Sequence, residues 1–302
     1  MINQFLNNVN EGKNNLWRYL ITLFISLPIG LSTLIAMAVS SIVIIFLGSF
    51  FYPPLNFFLE TASQFYVSII LLYLLVKFLH KRNFMSLFNA SKEYINQKRF
   101  SFVNRIRWGK ILKGMLIWAV LLIIIQIFIS IFLNKSYVIN VSFNDFIIII
   151  LLFLLTVPIQ VTFEELVFRG YLNQALSLKI KNPIIIILIS SLCFGFMHFS
   201  LGDMGILVNA VVFTFLCGLI WSVTTLVDNG IEFGVGAHIT NNFFALAFTS
   251  STGSMAAYDF FKIFGPVSSI WIETLIQVIC VLVFALIMFF YKKEAILKAL
   301  KI

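Results

Sequence analysis

Glu164 and Glu165 stand side by side at the end of a long apolar run, and Arg169 follows four residues after the second. Three ionisable groups within six residues are costly in such a setting. A charged side chain at the centre of a bilayer costs roughly 2.5–3.5 kcal/mol on insertion scales. On a helix Glu165 and Arg169 form an i,i+4 pair on one face, whereas Glu164 points about 100° away. One carboxylate can then be neutralised structurally while the other stays free for acid–base work. The competing reading is a structural ion cluster that fixes helix packing. Local spacing gives Glu164 no partner, and that weighs against it.

The chain has three histidines. His80 flanks a basic stretch and is expected to be interfacial, with no role in a site. His198 and His238 lie in two later apolar runs. A lone histidine in a helix is usually a satisfied core residue, but two of them with a free glutamate can polarise a water, directly or through a metal. Asn242 follows His238 by one helical turn, so both project from one face, and Asn241 is expected to face elsewhere. His238 and Asn242 could donate hydrogen bonds to a developing oxyanion; equally, Asn242 could bond between helices. Phe194 precedes His198 by one turn and can pack on it. Gly195, Gly234 and Gly236 flank the histidines and permit close helix approach.

These residues need apolar elements to carry them. The 302 residues are 61% hydrophobic and 11% charged, with mean hydropathy +1.02. A soluble domain carries about 25% charged residues, so the composition predicts an all-α, polytopic transmembrane helical bundle. Long unbroken runs such as 184–189 exclude the alternation of a membrane β-barrel. Eight spans are expected, near 18–51, 57–78, 111–133, 146–172, 183–199, 206–227, 231–248 and 267–291. Pro28 and Gly30 can kink the first. Residues 1–16 read as a polar cytoplasmic segment, 17–291 as one integral domain, and 292–302 as a basic cytoplasmic tail. No cleavable signal peptide is expected, because the first apolar stretch is too long and lacks a small-residue cleavage site.

Net charge is +9. The basic residues concentrate in 79–110, 173–182 and the tail, which predicts both termini inside. Residues 81–110 interleave Lys and Arg with aromatic and aliphatic residues, and read as an interfacial segment whose partner is anionic membrane lipid. No nucleic-acid partner is expected. Cys193, Cys217 and Cys280 all lie in apolar runs and read as inert core residues.

Glu164-Glu165-x-x-x-Arg169, Phe194-x-x-x-His198 and His238-x-x-x-Asn242, in this order on separate apolar runs, resemble the three motifs of the CPBP family. That family comprises the type II CAAX prenyl endopeptidases and the bacterial Abi proteins related to bacteriocin self-immunity. The resemblance covers about residues 145–250 and implies an intramembrane endopeptidase of a cell membrane, here a bacterial plasma membrane. It implies Glu164 as general base acting with His198 on a water, His238 and Asn242 at the oxyanion, and Glu165, Arg169 and Phe194 in support. Glu164, His198 and His238 would be the ligands if a divalent metal such as Zn took part, leaving one position for water. Without a metal, the resemblance leaves Glu164 as the base, acting with His198 on the water.

No H-E-x-x-H, G-x-S-x-G, P-loop or G-x-G-x-x-G is present. Ser190, Ser191 and Ser200 lie near His198, but a Ser–His dyad leaves both glutamates unexplained. The expected substrate is a membrane-associated peptide or protein. Peptide pheromone or bacteriocin maturation, or immunity to such peptides, fits a bacterial chain. The alternatives are a non-catalytic membrane scaffold for a cell-envelope partner and a proton-coupled transporter, the latter disfavoured by the lack of internal symmetry.

Overall fold

The structure is a computed structural model and describes residues 3–28, 30–47, 53–90, 105–134, 136–139, 143–199, 204–248, 261–264 and 270–300. The described helices are α1 (Gln4–Asn7), α2 (Leu16–Ser26), α3 (Leu31–Leu47), α4 (Pro53–Leu74), α5 (Trp108–Leu133), α6 (Phe143–Glu165), α7 (Asn173–Ser177), α8 (Pro183–Phe196), α9 (Met204–Asp228), α10 (Glu232–Phe248), α11 (Ile270–Tyr291) and α12 (Lys293–Leu300). The all-α polytopic expectation holds. One short antiparallel pair is added, β1 (Ser136–Ile139) with β2 (Phe261–Phe264), in which Ser136 lies opposite Phe264. The middle of the expected interfacial segment, residues 91–104, lies outside the described residues.

Six described stretches are long and apolar enough to cross a membrane: Leu16–Val43, Leu59–Leu79, Trp108–Leu133, Ile150–Ser177, Leu207–Asp228 and Ile270–Tyr291. The fifth and seventh expected spans become α8 and α10, which fall short of that standard. The 14 residues of α8 rise only about 21 Å at 1.5 Å per residue, less than the ~30 Å hydrocarbon core. His238 and Asn242 lie on α10, and His198 lies just past the end of α8. The first expected span breaks at Leu27, whose extended backbone ends α2 before Pro28. Proline restricts the residue before it to extended conformations.

Local signals account for several ends. Asn182 caps α8 by accepting from the Ile184 amide at 2.9 Å, with Pro183 in the first turn, where a missing N–H costs nothing. Asn134 ends α5 in the left-handed conformation, which asparagine tolerates. The outward faces of α5 and α11 carry exposed Leu116, Val120, Ile127, Leu275, Leu282 and Leu286, as lipid-facing surfaces should.

Helices α5 and α10 come close enough for backbone contact. A Cβ on Gly114 would collide with the Phe233 carbonyl, and one on Gly236 with the Ile111 carbonyl. Small residues at a crossing permit this approach. It draws α10 in toward the centre, where Trp118, Trp221, Phe163 and Phe194 are fully buried.

The N-terminal segment is less solvated than its polar composition implies. Phe5, Leu6 and Val9 are buried. Asn3 Nδ2 donates to the Leu226 carbonyl, and Gln4 Nε2 to that of Ala90. The basic stretch likewise turns several charges inward. Arg107 Nε donates to Glu232 Oε1 at 2.9 Å and its Nη2 to Glu232 Oε2 at 2.5 Å, while Lys110 pairs with Asp228 at 3.0 Å. Of the cysteines, only Cys217 is buried; Cys193 faces outward and Cys280 is intermediate.

Candidate active site

The helix bearing the two glutamates changes winding at the site. α6 holds Pro158 within it and ends at Glu165, and residues Leu166–Leu172 continue as a π-helical turn into α7. Such wide turns are rare and concentrate at functional sites. Glu165 and Arg169 straddle the change, and both are fully buried. Arg169 Nη1 donates to Glu165 Oε1 at 3.1 Å, the i,i+4 contact expected from spacing. The guanidinium lies over the Phe194 ring, 4.2 Å from its centroid, and 5.3 Å from that of Trp221. Cation–π contact compensates part of the cost of burying the cation.

His238 on α10 joins this pair. Its Nδ1 lies 2.9 Å from Glu165 Oε1. An ionised carboxylate only accepts, so Nδ1 carries the proton and donates. Its Nε2 lies 3.5 Å from Glu164 Oε2. The imidazole therefore bridges both carboxylates. Trp221 on α9 stacks on it at 4.5 Å between centroids and 26° between planes, and Phe194 meets its face edge-on at 5.6 Å. Room for the Glu165 carboxylate comes from Gly234, where a Cβ would sit 3.0 Å from Oε2.

Glu164 is held differently. Gln160, one turn earlier, donates from Nε2 to Glu164 Oε1 at 3.2 Å. Its side chain keeps 14% of its surface accessible, against none for Glu165. Neither Glu164 Oε2 nor a neutral His238 Nε2 can donate unless a proton sits on one of them.

His198 lies just past the end of α8, partly exposed. Its Nδ1 lies 2.9 Å from the Phe194 carbonyl and donates to it, which leaves Nε2 as the uncommitted ring nitrogen. Phe194 also meets this ring edge-on at 4.9 Å, which sets the two imidazoles around one aromatic side chain. Sequence pairs Glu164 first with His198; among the described residues, His238 is the imidazole within 4 Å of the Glu164 carboxylate. Asn242 is half-buried one turn beyond His238. Asn241 accepts from Trp118 Nε1 at 3.3 Å and so faces α5.

Gln160 and Trp221 were not singled out from sequence. The i−4 spacing of Gln160 to Glu164 was a readable signal, whereas Trp221 sits in an apolar run without a motif. His80 is more than interfacial. It is buried, its Nδ1 donates to the Lys13 carbonyl at 2.9 Å, and Tyr171 Oη donates to its Nε2 at 2.8 Å. Of the three serines near His198, Ser190 bonds back to the Ile187 carbonyl, Ser191 is buried, and Ser200 lies outside the described residues.

A zinc site needs three protein donors converging on one point about 2 Å from each. Among the described residues, no three of His, Cys, Asp and Glu are so grouped. His238 turns one nitrogen to Glu165 and His198 one to a backbone carbonyl, contacts that metal-bound histidines also make with their second nitrogen, so the spacing of the donors decides. The donor set Glu164, His198 and His238 does not fit such an ion in this arrangement.

Residues 144–244 match the family model described as Rce1-like, type II CAAX prenyl endopeptidase. The match spans the elements from α6 to α10 and bears out the CPBP resemblance there. The chain is 27% identical over 273 residues to the uncharacterized protein YyaK of Bacillus subtilis (strain 168), covering 84% of each chain. No solved structure matches significantly.

Proposed function

For a membrane chain that carries an Rce1-like domain over residues 144–244, we propose an intramembrane endopeptidase in which Glu164 is the general base. One observation carries this reading. Of the two adjacent carboxylates, Glu165 is fully buried with its Oε1 held by both Arg169 and His238, while the Glu164 side chain stays partly accessible with an imidazole beside it. A base must reach its water within about 2.6–3.2 Å, and only the accessible carboxylate can admit one.

Hydrolysis then proceeds as follows. The water oxygen attacks the scissile carbonyl carbon and gives its proton to Glu164. The carbonyl oxygen becomes an oxyanion, and Asn242 Nδ2 and a protonated His238 or His198 are the donors proposed for it. Collapse breaks the C–N bond, and the proton held by Glu164 passes to the departing amine. His238 is kept oriented by Glu165, as the base of a triad is kept oriented by its buried carboxylate. Phe194 and Trp221 pack on the buried His238 imidazole, which strengthens its electrostatic contacts.

The substrate proposed is a membrane-associated peptide or small membrane protein in a bacterial cell membrane, such as a pheromone or bacteriocin precursor. The test is co-expression of the full chain with small membrane peptides, followed by mass spectrometry of the products. Wild type is expected to yield defined fragments, and Glu164→Gln none. Equal cleavage by both, at equal expression, overturns the assignment.

A further inference from the structure

At the end of α4 the apolar helix gives way to a charged segment, and a pocket of about 390 Å³ opens there. Among the described residues its lining includes Lys77, Arg82 and Arg105, and no acidic residue. Arg82 is only 5% exposed. Its Nε donates to Ser86 Oγ at 2.7 Å and its Nη2 to Gln174 Oε1, which leaves Nη1. Among the described residues Arg82 forms no ion pair; Glu11 acts on its charge only from a distance. Burial holds its guanidinium down at about 10, the direction expected of a cation short of compensation. Arg105 Nε is also buried without a hydrogen-bond partner. Lys77 leans over the Tyr73 ring and donates to its hydroxyl at 3.0 Å.

Three cations converging without a carboxylate are costly unless an anion joins them. Two guanidinium forks and an ammonium suit a group with several oxygens and more than one acceptor direction. The setting narrows the choice. Tyr73 and Phe78 on the same helical stretch are exposed, and the apolar span ends at Leu79, so the pocket mouth lies where lipid headgroups meet water. Aromatic and basic residues are enriched at that level.

We propose that this pocket binds a phosphate-bearing anion, held by Arg82, Arg105 and Lys77. The phosphate belongs either to an anionic lipid headgroup or to a free phosphate compound. The site is joined to the catalytic helix, because Gln174, which accepts from Arg82, lies in α7 just past the π turn that follows Glu165. Gln174 also donates to the Phe5 and Ser86 carbonyls, so an occupied pocket braces the N-terminal segment against that helix.

The test uses the detergent-solubilised full chain and native mass spectrometry. Phosphatidylglycerol and phosphatidylcholine are offered separately, with and without millimolar inorganic phosphate. Arg82 is tied into the core and its loss endangers the fold, so the test variant is Lys77→Ala with Arg105→Gln, which line the pocket without the Arg82 bonds to Ser86 and Gln174. Wild type is expected to retain phosphatidylglycerol over phosphatidylcholine, and the double variant to bind it about tenfold more weakly, the loss of one good charge-assisted contact. Displacement by inorganic phosphate identifies a free phosphate as the source, and persistence in its presence identifies the headgroup. Equal retention of both lipids with no phosphate binding, or binding unchanged in the double variant, overturns the proposal. Neither readout depends on proteolysis.

Discussion

His238 donates from Nδ1 to Glu165 at 2.9 Å across 73 residues of sequence, and this one bond decides which nitrogen faces Glu164. Because Nδ1 is committed, Nε2 is the atom presented 3.5 Å from the neighbouring carboxylate. The adjacent glutamates therefore have unequal duties. Glu165 fixes an arginine and an imidazole, and Glu164 faces the space left beside them.

That division predicts unequal stability effects for neighbouring substitutions. Glu165→Ala leaves Arg169 buried without its counter-charge, a loss of roughly 3–5 kcal/mol. Glu164→Ala removes a partly accessible group whose hydrogen bond comes from Gln160 alone, and should cost about 1 kcal/mol or less. Both variants are expected to lose cleavage, but only the first should lose thermal stability in detergent. A comparable drop in unfolding temperature for both would show that Glu164 is structural.

Much of the site was legible because helical spacing is local. The Glu165–Arg169 contact follows from i,i+4 geometry, and so does the shared face of His238 and Asn242. The bond from His238 to Glu165 was not legible, since nothing in a single chain states which residue of a distant helix will face a given carboxylate. The stacking of Trp221 on His238 escaped for the same reason. The π turn after Glu165 has no propensity signal; within it Gly170 lies against the Leu87 backbone. The fold class followed from hydropathy alone. The lengths of α8 and α10 did not, because an apolar run does not declare whether lipid or protein surrounds it.

The approach of α5 to α10 is expected to be intolerant of a single methyl group. A Cβ on Gly236 would strike the Ile111 carbonyl and sit 3.0 Å from the Met115 amide. Both obstacles are backbone, which cannot rotate aside. Gly236→Ala should cost about 1–3 kcal/mol by overpacking and lower cleavage by displacing His238, two residues on. Gly109 is the control, since a Cβ there meets nothing within 4 Å. Gly109→Ala should be neutral or slightly stabilising, as alanine is the better helix former. Thermal unfolding of the two variants side by side checks the contrast.

Chelation separates the two ways of activating water. The described donors do not gather three around one point, and the proposed step uses the Glu164 carboxylate directly. Cleavage in proteoliposomes should therefore survive prolonged treatment with a strong zinc chelator, with metal content measured on the same sample. Loss of activity on chelation and its return with added zinc would require His198 and His238 to move onto a shared ion.

Stability should depend on pH through His80. Its Nδ1 proton goes to the Lys13 carbonyl, and its Nε2 accepts from Tyr171, so the folded protein holds it neutral. Burial, reinforced by the charges of Arg82 and Arg18, pushes its pKa below the ordinary 6.5. The unfolded chain then binds the proton at a higher pH than the folded one. Stability rises with pH where the unfolded state carries more protons, so this group's contribution is complete above about 6.5 and is lost as pH falls from there toward the lowered folded value. Unfolding temperature in detergent should drop over that window in wild type. His80→Gln cannot take up a proton and should flatten the dependence while lowering stability throughout, because the acceptor for Tyr171 is repositioned. A wild-type profile that is flat below pH 6.5, or one unchanged by the substitution, would remove His80 as its cause.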